Sequence, residues 1–234
     1  MELKNYQKKV LEDLKNYLNK IIETTDYEQA YNLLWKEKGI TVGSRIFPKY
    51  NNEIKNTPHI CFKVPTGGGK TYLAANAIKP IFDVMPSAKT KTVAWLVPSD
   101  AILEQTTKNL TNPDHPYRQA LSRDFGGRVE IYTKQQLLNG QNFNPTSVYE
   151  QLSIFVLSYD SIRSSKKDGR KIYQENGNLA AFPKIYAHPE TLLKDIDDTA
   201  LIQVINQLSP LVIVDESHHA VSDLSIEMLN NLNP

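Results

Sequence analysis

Two short runs of residues have the types and spacing needed to handle a phosphorylated ligand. The first, residues 67–71, reads Gly-Gly-Gly-Lys-Thr. Glycines let the backbone approach phosphates closely, because no Cβ collides with the ligand or forbids the required dihedral angles. A lysine after the glycines reaches the β- and γ-phosphates, and a threonine hydroxyl can bind Mg²⁺. The run therefore predicts a phosphate-binding loop, with Lys70 as its cation and Thr71 as a metal ligand.

The second run is a pair of adjacent carboxylates, Asp215 and Glu216, which follow four apolar residues. Asp215 can hold Mg²⁺ through water, and Glu216 can orient and deprotonate an attacking water. The alternative is a helix N-terminus that carries favourable acids, but the glycine-rich loop earlier in the chain favours a hydrolytic site. Adjacent histidines point in different directions and no H-E-x-x-H run is present. We therefore predict a coupling role for His218 and no metal role for the histidine pair.

The elements around these runs predict a layered α/β protein. Apolar runs at residues 60–64, 92–97, 129–132, 154–157 and 211–214 predict strands, of which the first leads directly into the glycine-rich loop. Helical periodicity covers residues 3–22, 27–36, 99–110 and a segment from the loop through about residue 82. Strands that are apolar throughout and alternate with helices indicate a parallel sheet with helices on both faces. Residues 163–183 are polar and predict a long surface loop, whose basic residues either contact phosphates or are simply solvated.

Composition limits the classes of protein that need be considered. The 234 residues contain 27 Lys and Arg against 26 Asp and Glu, and this balance neither favours nor excludes nucleic acid. The single cysteine excludes an intrachain disulfide and fits a reducing compartment. No apolar run reaches the roughly 18 residues that a membrane span needs, and the polar N-terminus does not resemble a signal peptide. We expect a cytoplasmic protein without a membrane partner.

The motifs together resemble one family. Residues 65–71 resemble motif I of superfamily 2 helicases. The general pattern of phosphate-binding loops, G-x-x-x-x-G-K-[ST], has a glycine where this chain has Val64, and the usual form of motif I also lacks that glycine. Residues 215–218 resemble motif II of the DEAH/DExH branch. Residues 96–105 resemble motif Ia, residues 156–160 motif Ib, and residues 3–7 the upstream adenine-reading element. Within the superfamily, the sequences of motifs I and II are most similar to the Res subunit of type III restriction enzymes.

The resemblance implies a fold, a function and a set of site residues. It implies a RecA-like P-loop parallel sheet with an N-terminal helical element at 1–57 and an ATP-binding domain at 58–234. It implies an ATP- and Mg²⁺-dependent translocase or helicase in a restriction–modification system. The expected substrate is nucleic acid, namely double-stranded DNA, and a methyltransferase (Mod) subunit is a candidate partner. ATP binding is assigned to Gln7, Thr66, Gly67, Gly68, Gly69, Lys70 and Thr71; catalysis to Lys70, Asp215 and Glu216; Mg²⁺ to Thr71 and Asp215; nucleic-acid contact to Pro98, Ser99, Ser158 and Tyr159; and coupling to His218.

Some parts that the family implies are not found in these residues. Motif III, a second RecA-like domain with its arginine finger, and an endonuclease motif are not recognisable, so we expect only the first motor domain and weak ATP hydrolysis by these residues alone. In RecA-like folds the strand after motif II lies between the strand that leads into the loop and the strand of the acidic pair, so these two are not expected to pair directly. An RNA helicase, or an ATP-dependent nucleic-acid-binding switch without turnover, remains an alternative.

Overall fold

The computed structural model describes residues 2–39, 49–50, 54, 57–84, 90–163, 169–215 and 223–234. The chain divides into two compact units, Met1–Ser87 and Ala88–Pro234. The first unit therefore includes both the N-terminal helices and the glycine-rich loop. The functional division predicted after residue 57 stays a prediction.

The described elements are mainly helices, with four strands in the second unit. The helices are α1 (Asn5–Thr24), α2 (Tyr27–Glu37), α3 (Lys70–Val84), α4 (Asp100–Thr111), α5 (Pro116–Asp124), α6 (Lys134–Leu138), α7 (Pro145–Glu150), α8 (Tyr159–Ile162), α9 (Pro183–Tyr186), α10 (Leu201–Leu208) and α11 (Asp223–Leu232). The strands are β1 (Lys91–Val97), β2 (Val129–Thr133), β3 (Leu152–Ser158) and β4 (Leu211–Val214). Short 3₁₀ turns cover Gly169–Tyr173, Gly177–Leu179 and Pro189–Thr191. No described helix is both long enough and apolar enough to cross a membrane.

The first unit is built on the contact between α1 and α3. The apolar residues Leu11, Leu14 and Leu18 recur at helical spacing, so they lie on one face of α1. They form a buried cluster with Leu73 and Ala77 of α3. Since α3 begins directly after the glycine-rich loop, this packing fixes the N-terminal helix beside the loop.

The second unit contains a four-stranded parallel sheet in the order β2-β3-β1-β4. The central strands β1 and β3 are almost completely buried, and Trp95 of β1 has no exposed surface. Trp95 is paired with Val156 on one side and with Ile213 on the other. The α/β fold with a parallel sheet and N-terminal helices is confirmed, and it is consistent with a RecA-like domain.

One predicted strand is wrong. Residues 60–64 form no strand and belong to the first unit, whereas the described strands all belong to the second. The segment buries alternate residues instead, because Phe62 and Val64 pack against the cluster formed by α1 and α3. Cys61, which precedes Phe62, is consequently exposed. Since residues 60–64 form no strand, the expectation that they do not pair with the acidic-pair strand is not tested, and the described pairing of β4 is with β1.

The prediction of a long surface loop at residues 163–183 is partly right for its described part, because residues 169–182 form neither an α-helix nor a strand and most of their side chains are at least partly exposed. Residues 169–173 and 177–179 form 3₁₀ turns, and the side chains of Ile172, Leu179 and Phe182 are buried. The ring of Phe182 lies 4.6 Å from that of Phe143, centroid to centroid. Three apolar residues spaced through a polar segment are enough to attach it to the domain.

Candidate nucleotide-binding site

The glycine-rich loop begins with a tight turn. The Gly68 N–H donates to the Pro65 carbonyl over 2.9 Å, which closes a four-residue turn. Gly67 is the third residue of this turn and has a φ of 75°, the left-handed conformation that a type II turn requires at that position. Gly69 also has a positive φ, 72°, and its carbonyl accepts the N–H of Leu73 in the first turn of α3. Two of the three glycines therefore have conformations that favour glycine.

The opposite side of the loop contacts α1. The Gly68 carbonyl accepts two hydrogen bonds, one from the Tyr6 hydroxyl and one from Gln7 Nε2 at 3.0 Å. The other end of the Gln7 amide, Oε1, accepts the Lys4 N–H at 2.9 Å and so caps the start of α1. Gln7 is only 2% exposed. The predicted adenine-reading element and the predicted phosphate-binding loop are therefore in direct contact.

Lys70 and Thr71 begin α3 immediately after the loop, and both are partly buried. The first N–H groups of any helix have no acceptor within the helix and attract anions, with a contribution from the helix dipole. Thr66 and Gly67 are exposed. The loop, the lysine and the start of a helix thus occur in the order that phosphate binding requires.

In the second unit, β4 leads directly into Asp215, as the sequence predicted. The Asp215 N–H donates to the Leu96 carbonyl of β1 at 2.9 Å, and its carbonyl accepts the Tyr159 hydroxyl, also at 2.9 Å. The backbone of this acid is therefore held by β1 on one side and by α8 on the other. Glu216 and His218 lie outside the described residues.

The four predicted nucleic-acid contacts differ in exposure. Ser99 is exposed and Pro98 partly exposed at the carboxyl end of β1, where Ser99 also caps α4. Ser158 and Tyr159 are buried at the end of β3, with 4% and 5% of their surface exposed. Because Val97 is paired with Ser158, the two pairs follow neighbouring strands at the same edge of the sheet. Only the first pair is accessible in this conformation.

Comparison with known proteins identifies the family. A family model described as "Type III restriction enzyme, res subunit" matches residues 1–234. The chain belongs to this family. No curated protein and no solved structure gave a match. The Res-subunit family contains the helicase-like ATPase module of restriction enzymes and superfamily 2 helicases, which implies nucleotide binding and suggests nucleic-acid binding.

One lysine outside the predicted set of site residues lies at the same edge of the sheet as the predicted nucleic-acid contacts. Lys134 follows β2 directly and therefore lies at the same carboxyl edge of the parallel sheet as Pro98 and Ser99. Burial lowers the pKa of Lys134 from its ordinary value, nearby Lys171 lowers it further, and Asp100 opposes the change. Asn176 and Asn178 donate to the Leu138 carbonyl at the end of α6, which holds the segment that carries Lys171 beside that helix. The sequence signal that could have identified Lys134 is its position directly after a predicted parallel strand.

Proposed function

We propose that this chain is the first motor domain of an ATP-driven translocase that acts on double-stranded DNA in a type III restriction enzyme. The observation that carries the proposal is the phosphate-binding loop, which combines two glycines at positive φ with a lysine and a threonine at the start of a helix. Family membership supports a motor rather than another nucleotide-binding protein. In this proposal the domain works in the cytoplasm together with a second RecA-like domain and a methyltransferase (Mod) subunit, and any endonuclease activity belongs to another part of the enzyme.

The proposed division of roles follows from the chemistry of each side chain. Residues 66–69 surround the phosphates of ATP, and the Lys70 ammonium neutralises the β- and γ-phosphates. Thr71 and Asp215 supply a hydroxyl and a carboxylate oxygen, the hard donors that suit Mg²⁺. The bound ion would contribute charge neutralisation on the phosphates. Glu216 orients the attacking water and accepts its proton, and the arginine finger comes from the second domain.

Gln7 is proposed to recognise adenine. An amide has two donor and two acceptor positions, and the contacts with Lys4 and Gly68 use one of each. One N–H and one lone pair remain, and this is the combination that an adenine edge needs. The 2% exposure of Gln7 favours its contact with the loop over contact with a base in this conformation. Competition between ATP and GTP, with and without Gln7→Ala, separates the two roles, because a residue that only supports the loop would not change the base preference.

Nucleic acid is proposed to bind along the carboxyl edge of the sheet, on Pro98, Ser99 and Lys134. Because Ser158 and Tyr159 are buried, we propose that they act there through their contacts inside the domain and not by direct contact with nucleic acid. The hydrogen bond from Tyr159 to the Asp215 carbonyl provides a connection from this edge to the acidic pair. His218 would extend the same connection toward the second domain.

The proposal is tested by separating ATP binding from hydrolysis. In the protein that contains both motor domains, Lys70→Ala should weaken ATP binding, whereas Glu216→Gln should keep binding and stop DNA-stimulated hydrolysis. The matched controls are the exposed residues Lys63→Ala and Glu227→Gln. Unchanged hydrolysis by Glu216→Gln would remove that residue as the base, and unchanged ATP affinity of Lys70→Ala would refute the loop assignment. The same assay with RNA in place of DNA tests the choice of nucleic acid.

A further inference from the structure

We propose that Tyr6 is a positioning residue for the phosphate-binding loop, which acts by donating its hydroxyl proton to the carbonyl of Gly68. The inference rests on the proposed function, since it assigns an additional residue to the same nucleotide site. Tyr6 lies within the adenine-reading element at residues 3–7, but it is not among the residues predicted to bind ATP. It is 40% exposed, so hydrophobic burial does not account for its position.

The geometry explains how Tyr6 can control a group that binds phosphate. In a trans peptide the carbonyl oxygen of one residue and the N–H of the next point in opposite directions. The Gly68 carbonyl points toward α1, where Tyr6 and Gln7 both donate to it. The N–H of Gly69 must therefore point away from α1. Holding the carbonyl fixes the direction of an amide that is available to an anion.

Gly68 is held on its other side as well. Its N–H is bonded to the Pro65 carbonyl in the turn, so the peptide groups before and after Gly68 are both restrained. A Cβ built on Gly68 would lie 2.6 Å from Val64 Cγ1 and 2.8 Å from the Pro65 carbonyl, and 3.4 Å from the Tyr6 hydroxyl. The loop is thus closely packed between its own turn and α1, and it has little freedom to change direction while both contacts persist.

The α1 helix is able to hold these side chains in place. Its apolar face packs on α3 through Leu11, Leu14 and Leu18, only one to three turns after Tyr6. Gln7 is fixed at both ends of its amide. A loop that is already in its binding conformation pays less of the ordering cost when a ligand binds. Loss of the Tyr6 hydroxyl should therefore lower the affinity for the phosphates without removing any direct contact with them.

The test compares two substitutions and two ligands. Tyr6→Phe removes only the hydroxyl, whereas Tyr6→Ala also removes the ring. The ligands are Mg·ATP and Mg·tripolyphosphate, and the second has no base. For the 234-residue chain, we expect Tyr6→Phe to weaken both ligands by the same factor, about two- to twelvefold, which corresponds to one net hydrogen bond. Tyr149→Phe is the matched control, because Tyr149 is 72% exposed in the other unit.

Two further readouts separate positioning from a general loss of structure. Amide hydrogen exchange of Gly68, whose N–H is bonded to the Pro65 carbonyl, should become faster in Tyr6→Phe, while exchange in β1 and β3 should not change. Equal affinities of Tyr6→Phe and the unsubstituted chain for both ligands would overturn the inference alone. Weaker binding of ATP but not of tripolyphosphate in Tyr6→Ala, with Tyr6→Phe unchanged, would mean that the ring contacts the base and would also overturn it. Absence of binding by the unsubstituted chain would overturn the proposed function together with the inference.

Discussion

Replacing Gly69 by alanine should destabilise the first unit more than replacing Gly67, although both residues have nearly the same backbone conformation. Their φ angles are 72° and 75°, and a non-glycine residue in the left-handed region costs about 1 to 2 kcal/mol. A Cβ at position 67 meets nothing within 4 Å, whereas a Cβ at position 69 would lie 2.8 Å from Gln7 Nε2. The amide of Gln7 must then move away from the Gly68 carbonyl.

The additional cost can be estimated from the contact that is lost. Gln7 is buried, and a buried donor without its acceptor costs about 1 to 3 kcal/mol. We therefore expect Gly67→Ala to lower the free energy of unfolding by about 1 to 2 kcal/mol and Gly69→Ala by about 2 to 5 kcal/mol. Urea denaturation followed by helical circular dichroism measures both values on the same chain.

A double-mutant cycle tests the mechanism directly. In a Gln7→Ala background the obstructing amide is absent, so the two glycine substitutions should have equal costs. The Gly67→Ala variant serves as the control, since its cost should be the same in both backgrounds. Two outcomes would refute the reasoning: a larger cost of Gly69→Ala than of Gly67→Ala in the Gln7→Ala background, or equal costs of the two substitutions when Gln7 is present.

Three other predictions follow from the described contacts. Lys134→Ala should weaken DNA binding and reduce the slope of log K against log salt concentration by about 1. Because the pKa of Lys134 is lowered, this residue should lose its positive charge, and with it its contribution to DNA binding, at a lower pH than an exposed lysine does. Tyr159→Phe removes the hydrogen bond to Asp215 and should reduce DNA stimulation of ATP hydrolysis about two- to tenfold; unchanged stimulation would refute the connection. Leu73→Ala should cost about 2 to 5 kcal/mol of unfolding free energy, against little for the exposed Ile22→Ala.

The sheet could be predicted because its strands are apolar on both faces. The predicted strand at residues 211–214 matches β4, and the other predicted strands of the second unit fall within β1, β2 and β3. The same pattern failed at residues 60–64. A strand requires a hydrogen-bonded neighbour, and a short apolar run satisfies its hydrophobic residues equally well by packing alternate side chains on helices, as Phe62 and Val64 do. Local sequence contains no information about which partner is present.

The residues of the candidate site could be predicted, but their mutual contacts could not. Motif spacing identified Gln7 and the glycine-rich loop separately. Their hydrogen bond joins residues that are 61 positions apart, and it depends on how α1 packs on α3. Tyr6 lies within the adenine-reading element at residues 3–7, but an exposed tyrosine there gave no sign of its contact with the loop. Lys134 was overlooked for a similar reason, because its significance comes from the strand order.

Asp215 shows how this sheet could connect nucleic acid with ATP. Its N–H donates to the carbonyl of Leu96 in β1, two residues before Pro98, and its carbonyl accepts the hydroxyl of Tyr159, directly after β3. These two attachments are the places where the proposed nucleic-acid residues follow their strands. A small movement of either strand end would therefore rotate the peptide groups on both sides of Asp215 and change the direction of its carboxylate. Since phosphoryl transfer depends mainly on positioning and charge neutralisation, such a change in the direction of the Asp215 carboxylate would couple DNA binding to hydrolysis in the proposed motor.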